Sequence, residues 1–388
     1  MNRLKIYIIL CLLTIITFIS CRKNIPEMIP PEDYPGNDFS SVFESFWTGM
    51  NHNYLFWDID ATDWDHVYKH YKPLFNQLNI KNDDDIRKAY EYFKEMTAGL
   101  VDGHYAIYFK KSPIQNSTIR PSFSRKKMEK GYHNPIPLNY FTDKLPKLYL
   151  NDYKRGISET EYGKLAAVSG ELRGDILYLY FSNFLFEQLA SGDPVLSVID
   201  YFFNSLKNAK DFKGIIIDVR GNGGGNIADL NKILSSLIND PITIGYLRGK
   251  MGDGRLDYTP WTPYTIIPPS NAYINLPIVA LVDLHSASSS ELMAMGVSRL
   301  SNGYVVGERT WGAQGPLAEN FIYNGGQFST AFMELVYTSS LMTKSADGNI
   351  YEGVGFPPDV EAKYDENLLN SDKDMQLETA IQVIYDHK

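Results

Sequence analysis

The sequence predicts an α/β fold built on parallel βαβ units, with a small helical N-terminal subdomain before it. Three short apolar runs rich in β-branched residues support this prediction: GIIIDV at 214–219, PIVALVD at 277–283 and YVVGE at 304–308. The helical patterns IADLNKILSSLIN and ELMAMGVSRL alternate with them. Strands that are apolar along their whole length are typical of a parallel sheet covered by helices on both faces.

The predicted helical subdomain covers residues 38–103. Its apolar and aromatic side chains recur at steps of three and four in FSSVFESFWTGMNHNYLFW, WDHVYKHYKPLF and DDDIRKAYEYFKEM. We assign residues 104–365 to the α/β core and residues 366–388 to a C-terminal helix. The chain of 388 residues is long enough for one large domain with such a smaller unit attached.

Composition excludes some partners and permits others. Hydrophobic residues make up 44% of the chain and charged residues 21%, which is an ordinary balance for a globular protein. The formal net charge of -9 argues against nucleic acid, because a phosphate-binding surface needs an excess of Lys and Arg.

The first residues predict export. Residues 1–20 combine a basic start with an apolar run too short to span a bilayer comfortably, so we interpret them as a signal peptide. The segment FISC resembles a bacterial lipoprotein box, which would make Cys21 the lipidated first residue of the mature chain and residues 21–37, rich in proline, a tether. The alternative is a signal peptide with an incidental cysteine. The expected location is the cell envelope, on the periplasmic or surface side of a bacterial membrane.

Both cysteines of the chain, Cys11 and Cys21, lie in this leading segment. The rest of the chain therefore has no thiol for a disulfide, a metal site or catalysis. His66 and His70 are one helical turn apart and could bind a metal. This signal is weak, because the zinc motif H-E-x-x-H would need Glu where Val67 stands. We expect neither a metal nor a cofactor.

A glycine-rich loop, DVRGNGGGN at 218–226, follows the first apolar run. It does not fit a nucleotide site, because the dinucleotide fingerprint needs Gly at Asn226 and the Lys-Ser/Thr of a phosphate loop is absent. Consecutive glycines can let backbone N–H groups approach an oxygen closely, as in an oxyanion hole. A plain strand-to-helix turn explains the segment equally well.

A cluster of serines, LVDLHSASSSELMAMG at 281–296, follows the second apolar run. Ser288 and Glu291 have the S-x-x-E spacing of a capping box, which predicts a structural role at the start of a helix. A hydroxyl at that position also lies where the helix dipole and free N–H groups stabilise a nearby anion. The spacing leaves both roles open.

Four segments occur in the order found in one peptidase family: VRGNGGG, VDLHSASSSELMA, VVGERTWGAQG and YEGVGFPPDV. Over roughly residues 38–362 the chain resembles the serine peptidases that include the C-terminal processing (tail-specific) proteases and tricorn protease. The resemblance implies a crotonase-like or ClpP-like core. It also implies that Ser288 is the nucleophile, and that backbone N–H groups of Ser289 and of Gly223 or Gly224 form the oxyanion hole.

Two branches of this family differ in the residue that serves as general base. Tail-specific proteases use a lysine at the position of Ala313 here, and an alanine cannot accept a proton. The tricorn-like branch implies instead that His104, in DGHY, is the base and that Glu352, in YEGVGFPPD, stabilises the imidazolium.

One departure affects this arrangement. Tricorn has a serine directly before its histidine, where this chain has Gly103, so Asp102 becomes an alternative partner for the imidazole. His285 is a rival base, although it lies only three residues before Ser288 and would need an unusual turn to reach it.

Residues 110–172 show no equivalent of the PDZ domain that tail-specific proteases usually carry. The chain is therefore identified as a PDZ-less, tricorn-like member that acts as a serine-type endopeptidase on peptides or unfolded proteins. Two alternatives stay open: a non-catalytic protein that binds a peptide or an apolar ligand on the same fold, and an esterase that uses the same serine.

Overall fold

The computed structural model describes residues 30–161, 163–208, 211–252, 254–269, 274–317 and 325–387. The predicted signal peptide, Cys21 and most of the predicted tether lie outside these ranges. No helix within them is long and apolar enough to cross a membrane.

The described residues contain helices in both halves of the chain. They are α1 (Phe39–Asn53), α2 (Trp64–Phe75), α3 (Asp83–Thr97), α4 (Pro121–Lys126), α5 (Leu145–Tyr149), α6 (Pro194–Leu206), α7 (Ile227–Ser235), α8 (Ser289–Val297), α9 (Glu366–Asn370) and α10 (Met375–Asp386), together with a 3₁₀ turn at Pro31–Asp33 and a π-helical turn at Tyr140–Lys144.

The described residues also contain strands. They are β1 (Ala106–Phe109), β2 (Thr118–Ile119), β3 (Leu150–Thr160), β4 (Gly163–Leu172), β5 (Ile176–Phe181), β6 (Gly214–Asp218), β7 (Ile242–Arg248), β8 (Thr262–Ile266), β9 (Ile278–Val282), β10 (Gly303–Gly307), β11 (Met333–Tyr337), β12 (Met342–Ser345) and β13 (Val360–Glu361).

A seven-stranded sheet in the order β13-β10-β9-β6-β5-β4-β3 forms the centre of the fold. Strands β5, β6, β9, β10 and β13 run parallel, and the β3–β4 hairpin adds an antiparallel edge. Ile215 and Ile217 belong to the hydrophobic cluster that contains α6, α7 and α8, whereas Ile216 belongs to the cluster that contains α10. The prediction of parallel βαβ units, covered on both faces, is confirmed.

The helices α1 to α3 form where the apolar spacing predicts them. Each begins after a side chain that accepts N–H groups of the first turn: Asp38, Asp63 and Asn82. Their buried faces share one aromatic-rich cluster with β1 and β11, so the helical subdomain is packed against strands from much later in the chain.

The antiparallel pairing of β1 with β11 positions residues of the site described below. Ala106 is paired with Tyr337. Continuing this register two residues beyond each strand brings His104 opposite Ser339, although 235 residues separate them along the chain.

Two parts of the structure differ from the sequence prediction. The β3–β4 hairpin and the assembly of two three-stranded sheets, β11-β1-β2 and β12-β7-β8, were not predicted, because β3, β7 and β8 are polar or half-exposed and lack the continuous apolar runs of the central strands. The described part of the predicted C-terminal helix, 366–387, contains two helices instead of one, because the chain turns between α9 and α10, where Asp372 has a φ of 65°.

Candidate active site

Three loops leave the carboxyl ends of neighbouring parallel strands at the same edge of the sheet, which is where ligands bind in such folds. They follow β6, β9 and β10 and contain the predicted glycine loop, the serine cluster and the GERTWGAQG segment. Backbone hydrogen bonds join them: the Ala287 N–H donates to the Asn222 carbonyl (3.1 Å), and the Trp311 N–H donates to the Ser286 carbonyl (2.9 Å).

Ser288 lies at the turn from β9 into α8, with φ 56° and ψ -119°. This conformation is strained for a residue other than glycine, and such strain is concentrated at functional sites. A serine on a sharp strand-to-helix turn has its hydroxyl exposed beyond the end of the sheet. The Glu291 carboxylate accepts the Ser288 N–H at 3.3 Å, so the glutamate of the predicted capping box does contact the start of the helix.

The three predicted oxyanion donors are not equivalent. The Gly224 N–H donates to the Asn222 side-chain oxygen at 2.8 Å, so it is not available to a ligand. Within the described part of the chain, the N–H groups of Gly223 and Ser289 have no acceptor, and both residues line the pocket. We therefore retain Gly223 and Ser289 as candidate donors and withdraw Gly224.

Position 224 needs glycine for a reason other than donating to an oxyanion. A Cβ there would lie 2.5 Å from the Ser288 Cβ and 2.9 Å from the Ser289 nitrogen. Glycine is needed because the loop approaches the start of α8 this closely, and its φ of 100° strains any other residue.

Glu291 fastens the serine turn to the loop that follows β10. Its fully buried carboxylate accepts the Thr310 hydroxyl (2.5 Å) and the N–H groups of Gly312 (2.9 Å) and Ala313 (2.6 Å), besides that of Ser288. Burial raises the pKa of this carboxyl above its ordinary value, and these hydrogen bonds partly offset that rise.

His104 lies just before β1, next to Asp102 and Ser339. The Asp102 carboxylate is fully buried and accepts the Ser339 hydroxyl (2.9 Å), the Ser339 N–H (2.8 Å) and the His104 N–H (2.9 Å). The Ser339 Oγ is also 3.3 Å from His104 Nδ1. Burial lowers the pKa of the imidazole to about 4 and raises that of Asp102 to about 6, so at neutral pH the imidazole is neutral and Asp102 is ionised.

Glu352 lies beside this group but is bonded to the backbone. Its carboxylate accepts the N–H groups of Gly103 (2.7 Å), Gln314 (2.8 Å) and Gly315 (2.9 Å). Burial, and then the charges of Asp102 and Glu291, raise its pKa well above the ordinary value.

Asp102, His104 and Glu352 each contribute one potential metal-ligand atom, and these atoms lie within 4.8 Å of one another. This is the one such group among the described residues. The carboxylates, however, already accept hydrogen bonds on both oxygens, from backbone N–H groups or the Ser339 hydroxyl. The arrangement is therefore better suited to holding an imidazole and a loop than to binding a cation.

The two departures from the resembled family lie in contact with each other. A Cβ on Gly103 would be 2.5 Å from the Ala313 Cβ and 2.6 Å from the Gly312 carbonyl oxygen. The serine that precedes the histidine in tricorn therefore cannot be accommodated at position 103 without moving the loop that carries Ala313.

A pocket of about 580 Å³ contains both predicted catalytic side chains. It is lined by His104, Leu185, Gln188, Gly223, Gly225, Asn226, Ile227, Ser288, Ser289, Leu292, Pro316, Leu317 and Tyr337. Apart from His104, none of these described lining residues carries an ionisable acid or base that titrates near neutral pH. Within the described residues no direct hydrogen bond joins the Ser288 hydroxyl to the imidazole; such catalytic bonds often form only when substrate is present.

Sequence reasoning missed Ser339 and the structural part played by Asn222. No motif marks Ser339, in YTSSLM, and only the pairing of β1 with β11 brings it to His104. His285, the rival base, is not among the described residues that line this pocket, and its Nε2 contacts the His133 carbonyl at 2.8 Å.

Two protein-family models match the chain. Peptidase family S41 matches residues 175–362, and the Tricorn protease C1 domain matches residues 35–87. Together they cover part of the predicted helical subdomain and every parallel strand of the central sheet, namely β5, β6, β9, β10 and β13.

Two named proteins are similar to part of the chain. The tricorn protease of Thermoplasma acidophilum is 26% identical over 192 residues, which is 48% of this chain and 15% of that protein. The nisin-resistance protein of Lactococcus lactis is 23% identical over 224 residues, 54% of this chain and 64% of that protein. The chain thus matches less than two thirds of the length of each.

Two solved structures share the fold over most of their length. A Parabacteroides merdae protein described as a candidate peptidase is 24% identical with a TM-score of 0.65, covering 88% of this chain and 95% of that chain. Mature CPAF is 12% identical with a TM-score of 0.59, covering 90% of this chain and 98% of that chain. These likenesses confirm the predicted fold.

Proposed function

Because the chain is a member of peptidase family S41, we propose that it is a serine peptidase that hydrolyses peptide bonds through an acyl-enzyme on Ser288. The observation that supports this most directly is that Ser288, on its strained turn, and a neutral His104 line the same pocket.

The reaction would proceed in two halves. Ser288 Oγ attacks the substrate carbonyl carbon while His104 Nε2 takes the hydroxyl proton, and the N–H groups of Gly223 and Ser289 stabilise the oxyanion that forms. The imidazolium then returns the proton to the leaving amine, so the C–N bond breaks and the acyl group stays on Ser288. A water molecule, deprotonated by the same imidazole, releases the acid and restores the serine.

The charge on the imidazolium would be stabilised chiefly by the ionised Asp102, with Glu352 as the second carboxyl group beside the ring. Asp102 is ionised at neutral pH and connected to the ring through Ser339, and Glu352 lies within 4.8 Å. We propose an endopeptidase acting on peptides or unfolded proteins. An esterase with the same serine is the alternative that a panel of amide and ester substrates separates.

The test combines labelling with turnover. A fluorophosphonate probe is expected to modify the wild-type protein at Ser288, as located by mass spectrometry of its peptides, and to leave both Ser288→Ala and heat-denatured protein unmodified. Ser288→Ala is also expected to lose peptide hydrolysis by about 10⁴-fold or more while unfolding as cooperatively as the wild type.

Either of two results would exclude this function. Peptide turnover retained in Ser288→Ala would show that another group carries the reaction. A folded wild-type protein that binds peptides but is never labelled at Ser288 would identify a binding protein on this fold.

A further inference from the structure

We propose that Ser339 is a positioning residue that connects the imidazole of His104 to Asp102 and holds the ring proton on Nδ1. This inference rests on the proposed function, in which His104 Nε2 must be free to accept the proton of Ser288. Its role would be to replace the serine that Gly103 cannot supply.

Counting protons gives the direction of each hydrogen bond. The Ser339 hydroxyl has a single proton, and it donates this proton to Asp102 Oδ1 at 2.9 Å. The second contact of the same oxygen, 3.3 Å to His104 Nδ1, must then be donated by the ring N–H. A neutral imidazole has one N–H, so a proton on Nδ1 leaves Nε2 as the acceptor.

Asp102, the acceptor at the end of this series of two hydrogen bonds, is fixed in place. The Asp102 carboxylate receives the backbone N–H groups of His104 (2.9 Å) and Ser339 (2.8 Å), so it cannot rotate away from the hydroxyl without losing both bonds. These donors also favour its ionised form, which accepts and does not donate. A fixed acceptor determines the direction of both hydrogen bonds that follow.

Ser339 is itself restrained. Its side chain is fully buried, and a Cβ on Gly315 would lie only 2.5 Å from the Ser339 Oγ. The absence of a side chain at Gly315 thus leaves space for the hydroxyl in this orientation. The pairing of β1 with β11 sets the distance between the two backbones, because Ser339 lies opposite His104 in the continued register.

Neither nearby alternative performs this task. Position 103 has no room for a side chain, because a Cβ there would lie 2.7 Å from the Ala313 Cα. The hydrogen bonds of Glu352 all come from backbone N–H groups, so it holds the segment before the ring and not the ring itself.

The matched variants are Ser339→Ala and Ser340→Ala, which remove neighbouring buried hydroxyls from the same loop. Ser339→Ala keeps the backbone N–H that holds Asp102, so the fold is expected to survive. We expect kcat to fall about 10- to 100-fold in Ser339→Ala, as when partners that orient a ligating imidazole are removed, with KM changed less than about twofold. Ser340→Ala is expected to match the wild type.

A second readout does not depend on turnover. ¹⁵N NMR of histidine-labelled protein reports which ring nitrogen carries the proton, and His104→Gln identifies the signal of His104. The wild type and Ser340→Ala are expected to show the proton on Nδ1, and Ser339→Ala is expected to show a mixture of tautomers.

The outcomes separate this inference from the proposed function. If the probe labels wild-type Ser288 but Ser339→Ala keeps both its turnover and its Nδ1 proton, the role of Ser339 is wrong and the peptidase stands. If Ser340→Ala loses as much turnover as Ser339→Ala, the effect is structural and the inference fails. If Ser288 is never labelled, the peptidase is excluded, and the tautomers still report whether Ser339 orients the ring.

Discussion

In each half of the candidate site a buried glutamate accepts backbone N–H groups, but the two halves are assembled in different ways. The nucleophile half consists of the glycine loop and the turn around Ser288, which follow adjacent strands and contact each other directly. The base half brings together Asp102 and His104, from the first third of the chain, with Ser339, from its last part. A site can therefore be local in sequence on one side and depend entirely on strand pairing on the other.

The segment 310–315 joins the two halves. Glu291 accepts the N–H groups of Gly312 and Ala313 from the nucleophile side, and Glu352 accepts those of Gln314 and Gly315 from the base side. Buried carboxylates with several N–H donors hold a loop firmly, because each unsatisfied donor would cost free energy. The distance between serine and histidine is thus set through one shared loop.

The largest effect is expected from His104→Gln, which leaves the nucleophile half intact and removes only the base. Peptide turnover should fall about 10²- to 10⁴-fold, because a neutral imidazole no longer takes the proton of Ser288. Steady-state kinetics measures this, with thermal unfolding as the control for folding. Turnover within about threefold of the wild type would mean that the base half is not catalytic.

A smaller effect is expected on the free energy of unfolding, compared between two matched variants. In Glu291→Gln one amide nitrogen replaces an oxygen that accepts two hydrogen bonds, whichever way the side chain turns. In Glu352→Gln the amide can turn so that it opposes only the Gly103 N–H. The Thr310 hydroxyl can turn to accept from the amide, so at least one backbone N–H is orphaned in each variant. With about 1–3 kcal/mol for each orphaned buried donor, Glu291→Gln should lose at least as much unfolding free energy as Glu352→Gln.

Urea unfolding followed by circular dichroism measures both losses. A larger loss in Glu352→Gln than in Glu291→Gln would contradict the view that Glu291 holds its half of the loop through more contacts.

The smallest effect is expected from pH. Burial raises the pKa of Asp102 to about 6 and lowers that of His104 to about 4, so Asp102 is the first of the two to gain a proton as pH falls. Protonated Asp102 no longer holds the Ser339 hydroxyl as an acceptor. The value of kcat/KM should therefore fall below about pH 6, by no more than the loss expected for Ser339→Ala until His104 itself is protonated near pH 4.

In Ser339→Ala this acidic limb should move towards pH 4, because the ring is then no longer connected to Asp102. A pH profile of both proteins checks this. A wild-type profile that is flat from pH 7 to pH 5 would contradict the connection.

The central fold and the nucleophile half were predictable because local signals encode them. The continuous apolar runs of β6, β9 and β10 predict buried parallel strands, and these strands lie adjacent in the sheet. The family motif predicts Ser288 as the nucleophile, and the structure places this residue on a strained turn at the edge of the sheet.

The base half and the fine geometry of the glycine loop were not predictable in the same way. Ser339 lies in a segment without a motif, and its position depends on the register of two short strands. The loss of Gly224 as a donor depends on the side-chain oxygen of Asn222, a contact that sequence spacing does not reveal.

The contact between Gly103 and Ala313 restricts how this site can change over time. A serine at position 103 would meet Ala313 and the Gly312 carbonyl oxygen at once, so this substitution cannot be accepted before the loop has shifted. A change towards the tricorn pattern at position 103 would therefore need a second, compensating change in the loop that carries Ala313. Steric fit alone is enough to keep glycine before His104.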